Sequence, residues 1–259
     1  MLIDYHIHTA MSRDAEGKLE DFIKMARFRG LEEVGVADHF HPGEPEYSMK
    51  YEELQEYVGR VQSLKETNDF PVKLAIEVDF IPSLQSEIEK ILRKEHFDYV
   101  IGSVHFIDGW GFDNAKYISQ YQKWDITQLY ETYFSLVQQC AKSRLFNIIG
   151  HVDIIKKFGY RPEVDVTNIF LSTVEVLKEC DVCVEVNTRG LMMPCREIYP
   201  SKDFLGICFN KGIPITLGSD AHKPQDVGRD FDQALKSIRE VGYENIARFT
   251  YQKLELVEI

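Results

Sequence analysis

Seven apolar runs rich in valine and isoleucine recur along the chain, and each ends at a histidine, a carboxylate or both. They cover residues 2–6, 34–38, 72–78, 99–104, 147–151, 182–187 and 214–219. Between and after them lie amphipathic segments at 19–29, 51–65, 84–94, 127–142, 166–178, 202–210 and 230–241, followed by an alternating tail over 254–259. Short buried strands alternating with helices, across crossovers long enough for parallel pairing, specify repeated βα units around a parallel sheet. In a barrel of such units the carboxyl ends of all strands face one side. The residues that close the runs therefore meet in one cavity: His6 and His8, Asp38 and His39, Glu77 and Asp79, His105, His151 and Asp153, Glu185 and Asn187, and Gly218-Ser219-Asp220-Ala221-His222.

A chain of 259 residues falls where a single α/β barrel is routine, and no Pro, Gly or Ser-rich linker divides it, so one domain over 1–259 is expected. The net charge of -12 disfavours nucleic acid and anionic membranes as partners, although a local cationic pocket remains compatible with it. No stretch reaches the length of a transmembrane helix and MLIDYHIHTA lacks the features of a signal peptide, which points to the cytoplasm. The five cysteines are an odd number, and free thiols are expected. Cys180 and Cys183 form a C-x-x-C without a second pair and read as packing. Oligomeric state is not specified by any of these features.

Six of the eight histidines stand at or just beyond strand ends in the ligand set. So many close imidazoles repel once protonated and gain little unless they share a cation, so bound metal is expected. His96, at a helix-to-strand turn, reads as a surface residue, and His41 as a substrate contact or a loop residue. Asp79 and Asp153 cap loops or orient ligands. Glu185 either supports the site or pairs with Arg189.

Taken together, H-x-H-T at residues 6–9, Asp38-His39, Glu77, Ser103-Val104-His105, Gly150-His151-Val152-Asp153 and Gly218-Ser219-Asp220-Ala221-His222 resemble the signature of the polymerase and histidinol phosphatase (PHP) superfamily. Gly102 to Phe106, Asp108-Gly109-Trp110, the run from Gly150 to Gly159, Glu185-Val186-Asn187-Thr188 and Tyr199-Pro200-Ser201 are similar to its histidinol-phosphate phosphatase branch. The resemblance implies an α/β fold, a distorted (βα)7 TIM-like barrel with three divalent metals (Zn, Mn or Fe) at the carboxyl ends of the strands. Carried over, one metal takes His6, His8, Glu77 and Asp220, a second shares Glu77 and adds His105 and His151, and a third takes Asp14, His39 and His222. Family members often have histidine where this chain has Asp14, and a carboxylate there shifts the preference toward manganese or iron.

Hydrolysis of L-histidinol phosphate to L-histidinol and phosphate, in histidine biosynthesis, is the activity implied. Two metals bridged by Glu77 would hold a shared water as hydroxide for in-line attack, with Asp220 and His222 as further catalytic residues. The proton donor to the leaving alkoxide is left open between a metal-bound water, Asp220 and His222. Lys156, Lys157, Arg161, Arg189 and Arg196 are candidates to hold the phosphate, the arginines ahead because a guanidinium binds it bidentately. Phe106, Trp110, Asp113 and Tyr117 are candidates for the substrate's imidazole and ammonium. The alternatives are a related phosphoesterase acting on phosphotyrosine, a nucleotide or another small phosphate, and a metal-stabilised scaffold without activity.

Overall fold

The structure is a computed structural model, and it describes residues 1–43 and 45–259. In chain order it consists of β1 (Ile3–Ile7), α1 (Leu19–Phe28), β2 (Glu33–Val36), β3 (His39–Phe40), α2 (Leu54–Thr67), β4 (Val72–Asp79), α3 (Gln85–Leu92) and β5 (Tyr99–Ser103). The short pair β6 (Phe106–Ile107) and β7 (Trp110–Gly111) follows, then α4 (Ile126–Lys142), β8 (Ile148–Ile149), α5 (Thr167–Cys180), β9 (Cys183–Asn187), α6 (Lys202–Asn210), β10 (Ile215–Gly218), α7 (Phe231–Val241), β11 (Asn245–Thr250) and β12 (Lys253–Glu258).

Among the described residues the main sheet runs β1-β2-β4-β5-β8-β9-β10, every pairing parallel, with β3 added beside β4. Each of these strands is buried along its whole length, which is why the runs are continuously apolar rather than alternating. Helices cover the outside. In α4, for example, Leu129, Tyr130, Tyr133, Phe134, Val137, Cys140 and Ala141 form the buried stripe, and the Asp125 carboxylate caps the first turn by accepting from Gln128 N at 2.9 Å.

The barrel closes outside its regular strands. His8 N donates to the Ala221 carbonyl at 2.8 Å, and Ala221 N to the His6 carbonyl at 3.2 Å, so the seam joins the first loop to the residues just after β10. The ligand-bearing segments are themselves the seam, which accounts for the distortion of the barrel.

Five expected strands come out shorter, the fourth and the sixth by one residue each, ending at Ser103 and starting at Cys183. The second stops at Val36, because the Asp38 carboxylate turns away to accept from Thr9 N (2.6 Å) and Ser12 N (3.2 Å), and pairing resumes only at His39 opposite Glu77. The fifth shrinks to Ile148–Ile149: the Asn147 side chain accepts from Val100 N, and His151 adopts a left-handed φ of 22°. The seventh covers only Ile215–Gly218. The alternating tail is the second strand of an antiparallel hairpin with β11. This hairpin covers the amino ends of the barrel strands, where Arg248 meets Glu33, Thr250 meets Lys73 and Gln252 N donates to the Asp98 carbonyl. Among the described residues no helix is long and apolar enough to cross a membrane, and the five cysteines are free.

Candidate metal centre

Glu77, at the end of β4, is the hub of the site and is 1% exposed. Its Oε2 lies 2.6 Å from His39 Nδ1, 3.4 Å from His6 Nε2 and 3.8 Å from His8 Nε2. Its Oε1 lies 3.0 Å from His151 Nε2 and 3.9 Å from His105 Nε2, and accepts from Ser103 Oγ at 2.6 Å. Asp220 Oδ1 is 3.2 Å from His8 Nε2. Asp14 Oδ2 sits 3.7 Å from His39 Nε2 and 3.4 Å from His222 Nε2. The chain thus brings all nine candidate ligands into one cluster. Three trios have ligand atoms within 4.8 Å of one another: His6, His8 and Asp220; His6, Glu77 and His151; and His8, His39 and His222.

Supporting carboxylates decide which ring nitrogen two of the histidines present. His6 Nδ1 donates to Glu185 Oε1 at 2.6 Å, and His105 Nδ1 donates to Asp79 Oδ1 at 2.6 Å, so both rings turn Nε2 inward. Glu185 also accepts from His151 N at 2.7 Å through its other oxygen. It therefore supports the site and is not the partner of Arg189. A Cβ at position 218 would lie 2.0 Å from Glu185 Oε1, which explains the glycine there. Asp4, buried within the sheet, accepts from Ser219 N, Ser219 Oγ and Gly228 N and so fixes the loop that carries Asp220 and His222. Asp220 itself holds a left-handed φ of 53°, a conformation that costs a non-glycine residue about 1–3 kcal/mol.

Burial works against a protonated imidazole at His6, yet Glu185, Glu77 and Asp220 together hold its pKa well above the usual value. By the same balance His39 rises to about 9 through Glu77, and His105 to about 10 through Asp79, Asp113 and Glu77. At His8, burial and the neighbouring His39 and His222 push the pKa well below the usual value, so its ring is neutral. Burial opposes ionisation of Glu77 and Asp220, but the surrounding imidazoles hold both carboxylates ionised. The donor set fits divalent cations on two counts. Three carboxylates and six imidazoles supply oxygen and nitrogen ligands together, and the buried Nε2 atoms of His6 and His8 have no hydrogen-bond partner among the described residues.

Asp14, His39, His105, His151, Asp220 and His222 of the cluster line a cleft of about 780 Å³ whose walls also include Tyr47, Phe106, Asp113, Tyr117, Lys157, Phe158, Arg189 and Met193. Lys157 Nζ is 3.1 Å from Asp113 Oδ2, and Arg189 Nη1 donates to the Asp220 carbonyl at 3.1 Å. Three expected substrate contacts are absent from the described walls. Arg161 is drawn off to Glu197 at 2.7 Å. Arg196 is exposed, with its guanidinium on the Leu191 carbonyl. Trp110 is buried in an aromatic cluster, edge-on to Tyr121 and stacked on Trp124. Lys156 is also removed from the mouth: it is buried between Asp153 (2.7 Å) and Glu197 (2.8 Å). Local spacing cannot distinguish these fates, since each depends on an acid or ring from another segment. His96 is exposed as expected, and His41 Nδ1 accepts from Gly43 N within its own loop. Tyr47, also in the wall, lies in a loop with no periodic pattern in the sequence to mark it.

A family model described as PHP domain matches residues 4–189. A probable histidinol-phosphatase of Deinococcus radiodurans is 35% identical over 260 residues, covering 98% of each chain. A histidinol-phosphatase of Lactococcus lactis is 26% identical, covering 98% of this chain and 96% of its own. Among solved structures, histidinol phosphate phosphatase from Lactococcus lactis, complexed with zinc, L-histidinol and phosphate, superposes with a TM-score of 0.85 at 24% identity, covering 98% of both chains. At that identity the likeness concerns the fold.

Proposed function

The chain belongs to the PHP domain family, and from that premise we propose that it is a metal-dependent phosphomonoesterase hydrolysing L-histidinol phosphate to L-histidinol and phosphate in histidine biosynthesis. The observation that carries this reading is the convergence of five imidazoles on the two oxygens of Glu77, beside a cleft with cationic side chains in its wall. The reading takes residues 1–259 as one domain acting in the cytoplasm.

In this reading three divalent ions bind, with His6, His8, Glu77 and Asp220 around the first, Glu77, His105 and His151 around the second, and Asp14, His39 and His222 around the third. Bound there, they would supply Lewis-acid polarisation of the phosphoryl group and a lowered pKa for water. Glu77 belongs to two of these sets, and its two oxygens face different imidazole groups. Glu185 and Asp79 hold His6 and His105 in the tautomer that leaves Nε2 available. Arg189 has donors beyond the one given to the Asp220 carbonyl, and with Lys157 it meets the phosphate. Asp113, paired with Lys157, and the rings of Phe106 and Tyr117 in the same wall suit a small cationic leaving group.

Purified protein loaded with manganese, iron or zinc and offered histidinol phosphate beside p-nitrophenyl phosphate and a dinucleotide tests the assignment. Strong preference for histidinol phosphate is expected. Equal turnover of p-nitrophenyl phosphate would overturn the substrate, and no turnover with any metal would overturn the enzyme.

A further inference from the structure

Tyr47 touches the support of three ligand-bearing segments at once. Its ring meets His39 edge-on, with centroids 5.2 Å apart and planes at 84°. Its hydroxyl donates to Asp79 Oδ2, while the other oxygen of Asp79 accepts from His105 Nδ1 at 2.6 Å. Its carbonyl accepts from the backbone N–H of Arg13, the neighbour of Asp14, at 2.9 Å. The adjacent Ser48 and Met49 donate to the His39 carbonyl, at 3.2 and 3.1 Å, so the segment carrying Tyr47 is pinned to β3.

We propose that Tyr47 is a positioning residue that ties His105 to His39 and Asp14, so that the two sides of the metal centre hold their geometry together. The proposal rests on the metal-binding reading above. A carboxylate with a partner on one oxygen only is free to rock, and the imidazole it holds rocks with it. With Tyr47 on Oδ2 and His105 on Oδ1, the plane of Asp79 is fixed at both ends, and His105 Nε2 stays aimed toward Glu77 and His151. Deleting the hydroxyl alone frees that plane. Deleting the ring as well removes the edge contact that confines His39.

The test is titration of the full chain with manganese ions, following free manganese by its paramagnetic resonance, for the unmodified protein, Tyr47→Phe, Asp79→Asn, the double variant and Tyr47→Leu. Tyr47→Phe is expected to weaken one bound ion about ten- to a hundred-fold and to leave the others unchanged. Asp79→Asn should weaken the same ion, and the double variant should be no weaker than Asp79→Asn, since the hydroxyl acts through that carboxylate. Tyr47→Leu should weaken a second ion. Unmodified affinity in Tyr47→Phe, or losses that add in the double variant, would overturn the proposal alone. A Tyr47→Phe chain whose circular dichroism shows it unfolded would replace positioning by a structural role. Failure of the unmodified protein to bind manganese, iron or zinc overturns the metal-binding reading and this proposal with it.

Discussion

His6 Nδ1 lies 2.6 Å from Glu185 Oε1, and this contact between the first strand and the ninth orients the first ring of the H-x-H segment. It locks the ring with Nε2 toward Glu77, while the second oxygen of Glu185 holds His151 N. One buried carboxylate that is not in the ligand set therefore positions two histidines that are.

Glu185→Gln keeps the size of the side chain but puts an amide where two donors need acceptors. Metal affinity is expected to fall about ten- to a hundred-fold, with the fold retained. Equilibrium dialysis against zinc or manganese, alongside circular dichroism, measures both. Unchanged affinity would remove Glu185 from its supporting role.

Metal binding should release protons and strengthen with pH. In the metal-free fold His39 titrates near 9 and His105 near 10, so near neutral pH both carry protons that a cation must displace. Affinity is expected to rise steadily from pH 6 to pH 9, with proton uptake by the buffer in calorimetry. For the metal-free protein the sign reverses. Both pKa values are raised above the usual 6.5, so the stability they contribute is full below that value and is lost as pH rises through about 9 to 10. Thermal unfolding of chelated protein across that range gives the comparison, and an apo stability that climbed through the same window would contradict the ion pairing.

Arg189 and the pair Arg161 and Arg196 should separate in kinetics. Arg189 lines the cleft, so Arg189→Ala is expected to lower kcat/KM about ten- to a hundred-fold, as for the loss of one charged hydrogen bond. Arg161→Ala and Arg196→Ala should change it less than about threefold, because a surface charge away from the substrate contributes little. A large loss at Arg161 would mean that its contact with Glu197 is given up when substrate binds.

Glu33→Ala should destabilise the fold without slowing the chemistry. Glu33 is buried and takes Arg248 at 2.9 Å, Lys73 at 3.4 Å and the Tyr5 hydroxyl, docking the hairpin under the barrel. Removing it strands those donors, at a cost of about 3 kcal/mol, the lower part of the range for a broken buried pair because Arg248 is partly exposed. Urea unfolding reads the loss, and kcat at temperatures well below the transition should hold.

The parallel βα plan and the location of the site were legible in the sequence, because continuous apolar runs mark strands buried on both faces and the residue closing each run points to a shared end. His6, His8, His39, Glu77, His105, His151, Asp220 and His222 announce themselves that way; Asp14 does not, and entered through family resemblance alone. What only the tertiary structure decided is the partner of each side chain: that Glu185 faces His6 rather than Arg189, that Glu197 takes Arg161 and buries Lys156, that Trp110 stacks inward on Trp124, and that Tyr47 reaches Asp79. Periodicity and turn chemistry act between near neighbours in the chain and specify elements. Ion pairs and ring contacts between loops far apart in sequence depend on how those elements pack, and no local pattern records them.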